Sequence, residues 1–137
     1  MIEVLATETV MVRQERDITL LNNHVRQQAT LAGMNSLEKT KLTTATSELA
    51  RNMLLYAGGG QVLLERVRQN KQIGIRLVFT DTGPGIADLD LVMQDGYTTS
   101  AGMGLGLPGA KRLMDTFHLQ STVGEGTTVT IIKWTNE

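Results

Sequence analysis

The apolar positions along the chain change period several times, and each change marks an element. Near the start, Ile2, Val4, Val10 and Val12 stand among Thr and Glu, which predicts a strand over residues 2–12 with a break near Ala6-Thr7. From Glu15 to Ala32 the steps become helical, with Ile18, Leu21, Val25, Ala29 and Ala32 on one face and Gly33 as a left-handed stop. A second helix is expected from Ser36 to Ala57, capped by Asn35 or Ser36 and released at Gly58-Gly59-Gly60. Its core stripe is Leu42, Ala45, Leu49, Met53 and Tyr56. Residues 61–68 read as a strand and Asn70-Lys71 as a turn. Beyond it, Ile73, Ile75, Leu77 and Phe79 alternate with Gly74, Arg76, Val78 and Thr80, so a hairpin with one buried face follows. Asp81-Thr82-Gly83-Pro84-Gly85 stops that strand abruptly. After a segment reaching Ala101, the run Gly102-Met103-Gly104-Leu105-Gly106-Leu107-Pro108 opens a third helix extending to about Thr116, with Pro108 suited to its first turn. Two closing strands, residues 118–123 and 127–134, flank Gly124-Glu125-Gly126. The order β-α-α-β-β-α-β-β predicts an α+β fold: a two-layer α/β sandwich whose mixed, mostly antiparallel sheet is covered on one face by about three helices.

Composition narrows the function. At 137 residues the chain reads as one domain, residues 1–137, long enough for a real core. A formal net charge of −1 leaves no electrostatic footprint for nucleic acid or for an anionic membrane surface. Aromatics make up 4%, too few for a base-stacking platform. There is no cysteine, which rules out disulfides and thiolate zinc sites and fits a reducing cytoplasm. The start, Met1-Ile2-Glu3-Val4-Leu5, is not a signal peptide, and no apolar run approaches the roughly 20 residues that span a bilayer. His24 and His118 lack partners at metal-ligand spacing. Met residues read as gap-fillers, with Met93 and Met103 beside the variable segment as exceptions, and Trp134 as a core or edge-strand anchor.

Chemistry concentrates at three places. On the second helix, Glu48 and Asn52 are four residues apart and share a face beside the apolar stripe. Asp81 follows a buried strand and precedes Gly83 and Gly85, where a carboxylate can accept from an exocyclic amine such as adenine's while glycine lets the backbone come close to a flat base. Gly102, Gly104 and Gly106 lead into a helix, whose first N–H groups and dipole suit phosphate. No Gly-Lys-Ser/Thr follows, so this is not a Walker loop.

Taken in order, Glu-x-x-x-Asn, Asp-x-Gly-x-Gly, Gly-x-Gly-x-Gly and Gly126-Thr127-Thr128 resemble the GHKL (Bergerat-fold) ATP-binding family over nearly the whole chain. Within it, Ser47-Glu48-Leu49-Ala50-Arg51-Asn52, Tyr56-Ala57-Gly58, the run from Gly106 to Asp115 and the ending from Gly124 to Trp134 look most like the RsbT-type serine/threonine kinases of bacterial stress-response partner switching. That resemblance implies ATP and Mg²⁺ as cofactors, with Asn52 as the Mg²⁺ ligand and Glu48 as the general base. It further implies Asp81 as the adenine-reading acid, Gly83 and Gly85 as the turn beneath the base, and Gly102, Gly104 and Gly106 as the phosphate cradle. Either Thr127 or Thr128 would complete adenine recognition. Implied partners are STAS-domain proteins of the stressosome as phosphorylation substrates and a PP2C-type phosphatase activated on release, in the cytoplasm, with no nucleic acid and no membrane.

One departure stands out. Residues 87–101, the lid of such proteins, hold Asp88, Asp90 and Asp95 but no Lys or Arg. The phosphate charge then falls to Mg²⁺, to backbone N–H groups, or to Arg51, Lys111 or Arg112, of which Arg51 points about 100° away from Asn52. Modest ATP binding and partner-dependent lid ordering are the expectation. The competing reading is a nucleotide-gated switch, anti-sigma-factor-like, that sequesters a partner with little catalysis. A gyrase-like motor is disfavoured because no transducer domain follows the last strand, and a complete sensor histidine kinase by the chain's length.

Overall fold

A computed structural model describes residues 1–94 and 106–136 of the chain. The first strand, β1 (Glu3–Val12), is one element with a bulge between Val4 and Ala6, where the sequence suggested a break. Helix α1 (Glu15–Ala32) starts where the Asp17 carboxylate accepts from the N–H groups of Arg13 and Gln14, and ends at left-handed Gly33. Helix α2 (Ser36–Ala57) opens with a reciprocal cap: Asn35 accepts from Glu38 N–H at 2.8 Å and Glu38 from Asn35 N–H at 2.9 Å. That choice between Asn35 and Ser36 falls to Asn35. Glu38 is buried, and its second oxygen accepts from Asn136 N–H at 2.7 Å, tying the start of α2 to the residues after the last strand.

Strands β2 (Gly60–Gln69) and β3 (Gln72–Asp81) form the expected hairpin about Asn70-Lys71, with Asn70 at φ 57°. A four-residue helix, α3 (Leu89–Val92), follows; Asp88 caps it. Helix α4 (Leu107–Leu113) is shorter than expected, and β4 (Thr116–Thr122) starts two residues earlier than the sequence suggested. The chain leaves α4 because β5 (Gly126–Trp134) recruits the next residues: Asp115 N–H donates to Ile132 and the Asp115 carboxylate accepts from Trp134 N–H.

The sheet order is β1-β2-β3-β5-β4, and each neighbouring pair is antiparallel. Strand alternation sends Val10, Val12, Val62, Leu64, Ile75, Leu77, Val129 and Ile131 to one face, where they meet Leu21, Val25, Leu42, Ala45 and Leu49 from α1 and α2. Burying one Leu or Ile side chain contributes about 1.5–3 kcal/mol, so this one-sided layer dominates the stability. The opposite face carries an ion pair between half-buried Arg76 and buried Glu65 at 2.7 Å. Among the described residues no helix is long and apolar enough to cross a membrane.

Candidate functional site

The core does not close where α2 leaves the sheet. Between the C-terminal half of α2, the ends of β3 and β5, and the segment around α3 lies a cavity of about 370 Å³, within the usual size of a small-molecule site. Its walls are apolar, with Leu49, Met53 and Tyr56 from α2 facing Phe79, Ile86 and Val129. Among the described residues, Asn52, Asp81, Asp88 and Thr127 bring polar side chains to it.

Asp81 is the best-fixed of these. It ends β3 opposite Thr127 on β5. Its Oδ1 accepts from Gly83 N–H at 3.0 Å and from Thr127 N–H at 3.2 Å. Two backbone donors on one oxygen orient the carboxylate and leave Oδ2 to accept from a ligand. A flat apolar slot with one directed acceptor suits a heteroaromatic base bearing an amine.

The choice between the two threonines is one of face. Thr127 and Val129 line the cavity, so the intervening Thr128 points to the other side of the sheet, opposite Thr80. The inward positions of Val129 and Ile131 already imply this by alternation. A residue the sequence reading missed secures the region. Ser121 Oγ accepts from Ile86 N–H at 2.7 Å and lies 2.8 Å from Thr127 Oγ1, which fastens the turn after β3 to β4 and β5.

Gly83 and Gly85 each pack closely against other parts of the chain. A Cβ on Gly83 would stand 2.5 Å from that of Ala57, so its bareness lets the turn pack on the end of α2. Gly85 lines the cavity, but φ is +79° and a Cβ there would strike the Thr122 backbone. Protein, not open cavity, occupies both directions. Gly102 and Gly104 lie outside the described residues, as does Asp95. Gly106 is the left-handed residue before α4, with φ +64°.

Glu48 and Asn52 are stacked on α2 as expected, yet they face different spaces. Asn52 lines the cavity; Glu48 does not. Glu48 lies on a second, open groove of about 400 Å³ between α2 and α4, together with Thr44, Gly106, Gly109 and Leu113. A Cβ on Gly106 would run into the Glu48 carboxylate, so the α4 backbone starts directly against it. On its other flank stands Arg51, 4.0 Å away and also 3.5 Å from Glu15 on α1. No Lys or Arg is among the described residues lining the cavity. Arg112 stands instead on the groove. Among the described residues, no three His, Cys, Asp or Glu cluster as a metal cage.

Comparison with known proteins places the chain in a family and agrees with its fold. The sequence model of the family described as "Histidine kinase-, DNA gyrase B-, and HSP90-like ATPase" matches residues 38–136. The chain is 46% identical over 125 residues to the serine/threonine-protein kinase RsbT of Bacillus subtilis (strain 168), covering 91% of this chain and 94% of that one. It is 32% identical over 104 residues to an anti-sigma F factor of Pasteuria penetrans, covering 70% and 68%. The catalytic domain of the histidine kinase ThkA, in a nucleotide-free form, superposes with a TM-score of 0.53 at 13% identity, over 92% of this chain and 95% of that one, a likeness of fold.

Proposed function

The chain belongs to the histidine kinase-, DNA gyrase B- and HSP90-like ATPase family, and from that membership we propose that it is an ATP-dependent protein serine/threonine kinase of a bacterial partner-switching pathway. The observation that carries the reading is the pair on α2: Asn52 turned into a base-sized cavity and Glu48, one turn earlier, turned out of it beside the start of α4. Likeness to a named serine/threonine kinase over 91% of the chain supports the same activity.

In this reading adenine lies between Met53 and Ile86 and donates its amine to Asp81 Oδ2, with Thr127 beside it. Asn52 would offer a hard amide oxygen to a bound Mg²⁺, the kind of donor that cation takes. Such a cation would supply charge neutralisation on the phosphates, which the described lining residues lack. The acceptor's hydroxyl oxygen bonds to the γ-phosphorus, the bond from that phosphorus to the β,γ-bridging oxygen breaks, and ADP leaves. Glu48 takes the hydroxyl proton. It suits that role because its side chain is 46% exposed and so reachable from solvent.

The substrates are STAS-domain proteins of a stressosome, the downstream partner on release is a PP2C-type phosphatase, and the setting is the cytoplasm. Residues 1–137 act as one domain. Labelled ATP, Mg²⁺ and a panel of STAS-domain proteins from the same source test this, with phosphosite mapping. Transfer to a Ser or Thr is expected from the unsubstituted chain. Glu48→Gln should lower it by about 10²–10⁴-fold while nucleotide affinity holds. Transfer at full rate by Glu48→Gln would remove Glu48 from the role. The likeness to an anti-sigma F factor favours a second reading, nucleotide-gated sequestration; nucleotide-dependent capture of a panel member without phosphate transfer would select it.

A further inference from the structure

The two spaces beside α2 divide the transfer between them. The cavity takes Asn52 and the groove takes Glu48, and the two spaces adjoin at the Gly106-Leu107 peptide: Leu107 lines the cavity and Gly106 the groove. A base must come within about 2.6–3.2 Å of the hydroxyl it deprotonates. Glu48 is closed off by the Gly106 backbone on one side and approached by Arg51 on another, and the groove is the described space onto which it opens. We propose that this groove between α2 and α4 is the acceptor site, holding an extended segment of the partner protein that carries the target Ser or Thr. This rests on the kinase reading above.

The groove is kept open where a side chain would fit. Gly109 sits inside α4, yet a Cβ there would meet nothing within 4 Å. Gly109 stands in the first turn of α4, and neither a positive φ nor a close neighbour requires glycine there. What its bareness provides is clearance for another backbone running along α4. The lining also states what fits. Thr44 offers a hydroxyl, Leu113 an apolar contact, and Glu48 a negative charge. Arg112 adds a positive charge to the same lining, so the groove offers both signs to the accepted segment, which is small-residued where it passes Gly109.

Three variants test this on the intact chain. Gly109→Leu fills the groove, Gly109→Ala adds a Cβ with little bulk, and Gly109→Cys gives a single thiol in a chain that has no cysteine, labelled with an environment-sensitive dye. Nucleotide affinity is expected to stay within about twofold for all three, as the position lies off the cavity. Transfer to the STAS-domain panel should fall about tenfold or more in Gly109→Leu and persist in Gly109→Ala, and acceptors should shift the dye. Full transfer by Gly109→Leu with a silent dye overturns the groove and leaves the kinase reading intact. A dye response without transfer from any form overturns the kinase reading and keeps the groove as the docking site. Silence of both across the panel overturns both.

Discussion

Replacing Asp81 by Asn isolates one oxygen atom. In the folded chain, Oδ1 accepts from Gly83 N–H at 3.0 Å and Thr127 N–H at 3.2 Å. An asparagine keeps that oxygen and both bonds, so the turn after β3 keeps its shape. The second oxygen becomes an NH₂ group, a donor where the adenine amine also donates. The nucleotide loses a hydrogen bond to a charged acceptor, about 1.5–3 kcal/mol, or roughly 10- to 150-fold in dissociation constant. The folded chain loses only the charge assistance on two bonds to Oδ1, about 1 kcal/mol. Calorimetric titration of Asp81→Asn with ATP, beside inosine triphosphate, separates the two effects. Inosine carries no exocyclic amine, so its affinity should change far less than that of ATP. Chemical denaturation reports the stability. Unchanged ATP affinity, or an equal loss for both nucleotides, would refute the assignment of Oδ2 to the base.

Two further outcomes follow from the same geometry. Asn52→Ala should weaken ATP binding about tenfold in Mg²⁺ and leave binding in EDTA unchanged; an equal loss in both by calorimetry would remove the metal from its role. Gly106→Ala places a Cβ at φ +64° and against the Glu48 carboxylate. It should cost about 1–2 kcal/mol in denaturant unfolding and reduce phosphate transfer more than nucleotide affinity; full transfer at unchanged stability would contradict the packing.

Long periodic segments were legible because burial enforces their period. Helices α1 and α2 run from Glu15 to Ala32 and from Ser36 to Ala57 as their apolar steps imply. Asp81, ending an alternating strand, falls inside the cavity. Residues 114–116 were not legible: Met114-Asp115-Thr116 continues a helical pattern locally, but hydrogen bonds to Ile132 and Trp134 draw it away from α4. The same limit applies to Glu48. Helical spacing put it on the face of Asn52, and only the start of α4, 58 positions further on at Gly106, assigns the two to separate spaces. Ser121 gives no signal either, since its role depends on contacts with Ile86 and Thr127 that no local pattern contains.

The strand order has a kinetic consequence. The β2–β3 hairpin closes over Asn70-Lys71, and β4 returns to β5 over three residues, Val123 to Glu125. Such loops are entropically cheap. The bond between Asp81 and Thr127 spans 46 residues, and α2 must dock as well before the cavity has its walls, so closure entropy delays it until both hairpins exist. A nucleotide that recognises only the finished cavity acts after the folding barrier. It slows unfolding and leaves the folding rate as it was.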